Sequence, residues 1–255
     1  KGHSDQIGAI TFSPDSRKLI STSVYFWVRF NDPQDAEERE NAIRIWDLSS
    51  GRQLQVLKGH HHDINSASFN SSGTKMLTAS FDMTVKLWEM TSYSMIAELK
   101  GHTLKVSKCG FSPKGETMYT LSSGYQLGLW SRNTGMLNQV ISSYKENYVN
   151  DIQYSPDGKK FATLNGSTIN IWDAAAGTQR LQFKPTTDAI NSIEFNPSGS
   201  HLVIATGSLN INTDSAGNYI EPDPGLQVWD TDKGTLVRRF RDENLYPIPY
   251  GKAWF

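Results

Sequence analysis

The sequence predicts an all-β protein assembled from repeated four-stranded units. Three observations carry that prediction. Trp46, Trp88, Trp130 and Trp172 recur at intervals of 42 residues, and Trp229 follows after 57, an interval longer by 15. His60 and His102 are likewise 42 apart, and each stands 28 residues before a tryptophan, Trp88 and Trp130 respectively. Between these markers the apolar residues alternate with a period of two, as half-buried strands do, and a fixed long period is the mark of a repeat architecture.

Each unit opens on an apolar alternation: Ile7–Phe12, Ile64–Phe69, Val106–Phe111, Val149–Tyr154 and Ile190–Phe195. A turn follows, written Ser13-Pro14-Asp15-Ser16, Ser112-Pro113-Lys114-Gly115, Ser155-Pro156-Asp157-Gly158 and Asn196-Pro197-Ser198-Gly199. Proline presets one turn dihedral and glycine supplies another, so these tetrapeptides read as tight connections. A second strand comes next, as in Lys75–Ser80. A third ends at the tryptophan, as in Thr84–Trp88. A fourth lies past another turn, as in Met95–Leu99. Two extra segments lengthen this plan, one after Ser23 (residues 24–40) and one after Ser208 (residues 209–224). Both fall between the second and third strands of their units.

The dipeptides Gly2-His3, Gly59-His60 and Gly101-His102, with the closing pairs Trp46-Asp47, Trp172-Asp173 and Trp229-Asp230 and the variants Trp88-Glu89 and Trp130-Ser131, resemble the WD40 repeat family. The resemblance covers nearly the whole chain. It implies a β-propeller, with four-stranded blades around a central channel. Five blades are expected at about 2–57, 58–100, 101–141, 142–184 and 185–240, all within one propeller segment over 1–255. Residues 241–255 are expected to open a sixth, with Phe255 matching Phe12, Phe69, Phe111, Tyr154 and Phe195. The expected whole is part of a seven-bladed ring in a longer parent chain, with a five-bladed ring as the alternative.

A recurring histidine, hydroxyl and aspartate invites a catalytic reading, with the hydroxyl as nucleophile beside an imidazole. The competing reading is a buried polar network in which every atom finds a partner. By resemblance, His60, Thr78, Asp82 and Trp88 form the family's structural tetrad. The set thins along the chain. The third unit keeps His102, Thr120 and Trp130 but has Gly124 where Asp82 aligns. The fourth and fifth units lack the Gly-His pair, and the first keeps His3 and Ser21. The run His60-His61-His62 followed by Asp63 lacks a carboxylate-rich surround, so no metal is expected. Cys109 aligns with Ile10, Ala67, Ile152 and Ile193 and reads as a packing residue.

Composition narrows the function classes. The chain has 255 residues, 25 Lys and Arg against 26 Asp and Glu, and one Cys. A disulfide framework and a cysteine-rich zinc cluster are excluded, and near-neutral charge argues against a broad nucleic-acid surface. Lys100, Lys105 and Lys108 are too sparse to reverse that. No long apolar run suggests a membrane span, and no signal-like start is present, so an intracellular, cytoplasmic setting is expected. No phosphate loop, dinucleotide motif or calcium loop occurs, and no cofactor is expected.

The two insertions remain as the places where function would sit. The family rim that carries them is the expected partner-binding face. Tyr25, Trp27, Arg29 and Phe30 offer aromatic and cationic anchors in the first, and Asp214, Glu221 and Asp223 make the second an irregular acidic loop. Residues 25–40 carry a net charge of -3, and the second loop another -3. The expected function is therefore non-catalytic: a scaffold for a protein or peptide with a basic surface, not a nucleic acid or a membrane. The alternatives are an architectural propeller holding neighbouring blades, domains or subunits, and, less favoured, an enzyme with a site on the propeller face.

Overall fold

In the computed structural model the repeat becomes a succession of four-stranded antiparallel sheets. The structure describes residues 2–24, 40–115, 117–123, 126–131, 137–141, 149–185, 190–206, 212–213, 219–220 and 225–240. Among them there is no helix. The first sheet contains β1 (Gln6–Phe12), β2 (Lys18–Val24), β3 (Ile43–Asp47) and β4 (Gln53–Leu57). The second contains β5 (Ile64–Phe69), β6 (Lys75–Ser80), β7 (Val85–Glu89) and β8 (Ser94–Leu99). The third contains β9 (Val106–Phe111), β10 (Thr117–Ser122), β11 (Leu127–Ser131) and β12 (Leu137–Ile141). The fourth contains β13 (Asp151–Tyr154), β14 (Lys160–Asn165), β15 (Thr168–Asp173) and β16 (Gln179–Phe183). In the fifth, β17 (Ile190–Phe195) and β18 (His201–Thr206) are joined by β21 (Gly225–Asp230) and β22 (Leu236–Phe240). The all-β fold of four-stranded blades is thus present. The fourth opening strand is shorter than its apolar run suggests, starting at Asp151 after Val149 and Asn150.

The second insertion departs from the expected irregular loop. β19 (Asn212–Thr213) and β20 (Tyr219–Ile220) pair with each other as a small antiparallel ladder of their own. Asn, Asp, Ser and Gly between two short pairing runs is hairpin chemistry.

The turns explain why the same residues recur. After β1, Ser13 Oγ accepts from Lys18 N–H and donates to Asp15 Oδ1 at 2.6 Å. Ser155, Asp157 and Lys160 repeat the arrangement after β13. The fourth turn position is left-handed, with φ near +70° at Gly115, Gly158 and Gly199, and Ser16 adopts the same region at 56°. The aspartate after each tryptophan closes the next turn. Asp47 Oδ1 accepts from Ser49, Ser50 and the Ser50 N–H. Asp173 and Asp230 accept from the backbone of the two residues that begin two positions on. The Ser50 and Ser49 hydroxyls hold the Asp47 carboxyl down at about 2. A ladder irregularity at the tryptophan itself recurs in all five sheets.

The chain divides into two compact units, residues 1–149 and 150–255. In the first unit, β1, β5 and β9 lie side by side. Ile20, Ile43, Ile45 and Leu57 of the first sheet pack on Ile64, Met76, Trp88 and Met90. Leu77, Val85, Leu87 and Leu99 of the second pack on Val106, Cys109, Met118 and Trp130. Polar pins cross the first seam: Thr22 Oγ1 donates to Ile64 C=O at 2.6 Å and accepts from Ala9 N–H. Gly8 is required there, because a Cβ would fall 2.0 Å from Val24 Cγ2 and 2.7 Å from Ile64 O. In the second unit, Ala162, Ile169 and Ile171 pack on Ile190, Ile193, Leu202 and Ile204.

One face of each unit is left open to water. Ile10 on β1 is 64% exposed, whereas Cys109 and Ile193, in the same register, are 3% and 2%, and Phe12 is 60% exposed where Phe195 is 8%. On the fifth sheet Leu226 and Phe240 are 47% and 50% exposed, whereas Val85 and Leu99 in that register are buried.

Candidate functional site

The second sheet brings His60, Thr78, Asp82 and Trp88 together. His60 Nε2 is 2.9 Å from Thr78 Oγ1, His60 Nδ1 is 2.8 Å from Asp82 Oδ2, and Trp88 Nε1 donates to Thr78 Oγ1 at 2.9 Å. The indole can only donate, so Thr78 accepts there and its own hydrogen turns to His60 Nε2. His60 Nδ1–H then donates to Asp82. Asp82 also accepts from His61 N–H, Thr84 N–H and the Thr84 hydroxyl. Burial pushes the Asp82 carboxyl up, but the hydrogen bonds from His60, Thr84 and His61 outweigh it and hold it far below the usual carboxylate range.

This geometry is unsuited to attack by the hydroxyl. Thr78 is fully buried, and its oxygen is already shared between an indole N–H and an imidazole. Both His60 ring nitrogens are engaged, and His62 Nδ1 accepts from Asp63 N–H. Cys109 is buried, and burial pushes its thiol up to about 12, against the opposing hydrogen bond to Ser66.

The first sheet holds a member that the spacing hides. His3 Nε2 is 2.7 Å from Ser21 Oγ, Trp46 Nε1 donates to Ser21 at 2.8 Å, and the acid on His3 Nδ1 is Glu40, at 2.9 Å. Glu40 also takes Ser4 N–H and the Arg44 guanidinium. Burial would raise the Glu40 carboxyl, but His3, Ser4 and Arg44 hold it below its ordinary value. The sequence counts Glu40 among the acids of the first insertion, yet its side chain is 7% exposed and faces inward. Without it, residues 25–39 carry -2 rather than the -3 of residues 25–40. The missed signal is that Glu40 precedes Trp46 by six residues, as Asp82 precedes Trp88.

The later sheets lose members one at a time. In the third, His102 Nε2 is 2.6 Å from Thr120 Oγ1 and Trp130 Nε1 donates to it at 2.7 Å. Desolvation lowers the His102 pKa, and its hydrogen bond with Gln126 restores only part of that shift. In the fourth, Trp172 still donates to Thr163 at 3.0 Å, and Gly166 N–H donates to Asn150 Oδ1. In the fifth, Ile204 stands in the register of Thr78, and Trp229 turns to Gln227 Oε1 at 2.9 Å.

The other candidate binding residues are not placed. Tyr25, Trp27, Arg29 and Phe30 of the first insertion, and Asp214, Glu221 and Asp223 of the second, lie outside the described residues.

Residues 1–47, 51–89 and 136–173 match the family model described as WD domain, G-beta repeat, together just under half of the chain. A serine-threonine kinase receptor-associated protein of Dictyostelium discoideum is 28% identical over 79 residues. That stretch is 31% of this chain and 22% of the relative, so the chain spans only a small part of the relative's length.

Proposed function

Because the chain carries WD40 repeats on five four-stranded sheets, we propose that it is a non-catalytic scaffold for a protein or peptide partner, bound through the rim that carries the 24–40 and 209–224 insertions. The observation that carries this reading is the closure of the polar network around Thr78. The residues that could mimic a catalytic relay spend every atom inside the sheet. They hold loops in place rather than present a nucleophile. The receptor-associated role in the relative's name is in keeping with an interaction scaffold.

Within this reading, the aromatics Tyr25, Trp27 and Phe30 with Arg29 anchor the partner, and Asp214, Glu221 and Asp223 attract a basic surface. The inward turn of Glu40 weakens the charge of the first insertion and shifts the electrostatic role toward the second. A pull-down comparing the parent chain with Trp27→Ala plus a shortened 209–224 loop tests it. Loss of the captured protein is expected, and unchanged recovery would overturn the rim reading.

A second reading, an architectural element joined to neighbouring blades or domains, is favoured by the apolar faces at Ile10 and Phe12 and at Leu226 and Phe240. Partner recovery that depends on those faces and ignores both insertions would select it.

A further inference from the structure

We propose a second, chemically opposite docking surface on the rim between the second and third sheets: a small apolar and cationic patch made by Phe81, Met83, Leu104 and Lys105 that takes an acidic peptide carrying an apolar side chain. It rests on the scaffold reading but uses neither insertion.

The patch is built from two loops of the first unit. Phe81 and Met83 belong to the β6–β7 turn, where Phe81 N–H donates to Asp63 C=O. Leu104 and Lys105 precede β9, and Lys105 C=O accepts from Ser123 N–H, which fixes that backbone. The Lys105 ammonium sits 4.3 Å from the centroid of the Phe81 ring, and the His62 ring lies 5.8 Å from that same ring. The two loops are therefore held against each other, and Met83 and Leu104 on them are 44% and 49% exposed.

Charge selects the occupant. The carboxylates of these loops, Asp63 and Asp82, are turned inward, and Asp82 is consumed by His60, His61 and Thr84. Lys105 and His61 face water. An outward cation with apolar neighbours and inward acids complements glutamate or aspartate beside a leucine-like side chain.

The backbone gives an independent pointer. Met83 holds φ at +68°, in the left-handed region. A side chain with a Cβ is strained there, and glycine avoids that strain. The corresponding turn in the fourth sheet uses Gly166 at φ +59°. A large apolar residue at the exposed tip thus opposes local stability, the kind of outlier from which a functional role is inferred.

The test is fluorescence anisotropy with a short fluorescein-labelled peptide of alternating glutamate and leucine pairs, beside its lysine-for-glutamate counterpart. The glutamate peptide is expected to bind and the lysine peptide to fail. Lys105→Glu and Leu104→Ser should each weaken binding by about tenfold. Met83→Gly should weaken binding while leaving the melting temperature unchanged or higher, which separates lost contact from lost fold. Phe12→Ser, on the open face of β1, should leave affinity unchanged. Equal binding of both peptides, indifference to Lys105→Glu, or dependence on Phe12 would overturn the proposal. The insertion-shortened chain should still bind the glutamate peptide. If it does while the pull-down ignores the insertions, the patch stands and the insertion reading falls. An insertion-dependent pull-down without peptide binding gives the reverse.

Discussion

Glu40 Oε2 lies 2.9 Å from His3 Nδ1, the same contact that Asp82 Oδ2 makes with His60 Nδ1 at 2.8 Å in the next sheet. The acid of the first sheet is thus delivered from the far side of a 15-residue insertion, which spans the two residues without breaking their network. Glu40→Ala should lower stability by about 2 kcal/mol, because His3, Ser4 N–H and Arg44 lose their shared acceptor. Glu40→Gln, which keeps one acceptor oxygen, should cost less. Urea midpoints of the three proteins check the order, and equal midpoints would count against an inward role.

His60→Ala should be more costly, about 3 kcal/mol, since it removes the acceptor of the buried Thr78 hydroxyl and one donor to Asp82. The comparator is Trp172→Phe in the fourth sheet, where the indole N–H donates to Thr163 and, among the described residues, no histidine joins the network. An unfolding midpoint unchanged from the parent would show that the second-sheet network adds nothing to stability.

These cases show what a single sequence can reveal here. Trp46, Trp88, Trp130, Trp172 and Trp229 were a reliable ruler because each closes the third strand and needs an acceptor for its N–H. The hydroxyl position failed in the fifth sheet because the requirement is for an acceptor, not a particular residue. Gln227, two residues before Trp229, supplies it from the neighbouring position and leaves Ile204 free to be apolar. Glu40 was hidden because the insertion separates it from Ser21, and acids beside insertions read as solvated. The open faces at Phe12 and Phe240 were invisible residue by residue, since the same aromatic is buried or bare according to what stands next to it.

The third sheet should respond to mild acid before the others. Burial places the folded-state pKa of His102 below its ordinary 6.5, with Gln126 rather than a carboxylate as partner. As pH falls past 6.5, the unfolded chain takes up a proton that the folded chain refuses, so stability declines from there to the lower folded value. Asp82 and Glu40 act in another window. Their depressed folded values add stability above 3.8 and 4.5, and that stability is lost as pH falls through the folded values. Urea midpoints should therefore drop in two stages. His102→Asn should flatten the stage that begins as pH falls past 6.5 and spare the later carboxylate stage. A His102→Asn profile that parallels the parent throughout would rule this assignment out.

Gly128 is expected to be irreplaceable for a reason of space. A Cβ there would fall 2.7 Å from Thr120 Oγ1 and 2.9 Å from Trp130 Nε1, inside the hydrogen-bonded network. The same register holds Lys86 in the second sheet, where the corresponding bonds are longer at 2.9 Å. Gly128→Ala should cost about 1–3 kcal/mol through the displaced Thr120 hydroxyl. The check is tryptophan fluorescence during denaturation. A variant as stable as the parent, with Trp130 unshifted, would mean the network relaxes freely.

The face of β1 should drive association. Ile10 stands in the register at which Cys109 is sealed by the second sheet and Ile193 by the fourth, and Phe12 in that of the buried Phe195, yet both are largely exposed. Burying one such side chain contributes about 1.5–3 kcal/mol, so the pair makes a cover of similar apolar shape strongly favourable. Because both are already in water, polar replacements remove little from the folded chain while abolishing the gain on association. Sedimentation of the parent should show a mass that rises with concentration. Ile10→Ser with Phe12→Ser should sediment as a monomer at an unchanged melting temperature. A parent that stays monomeric over the whole range would show that this face tolerates water, and the architectural reading would lose its support from β1.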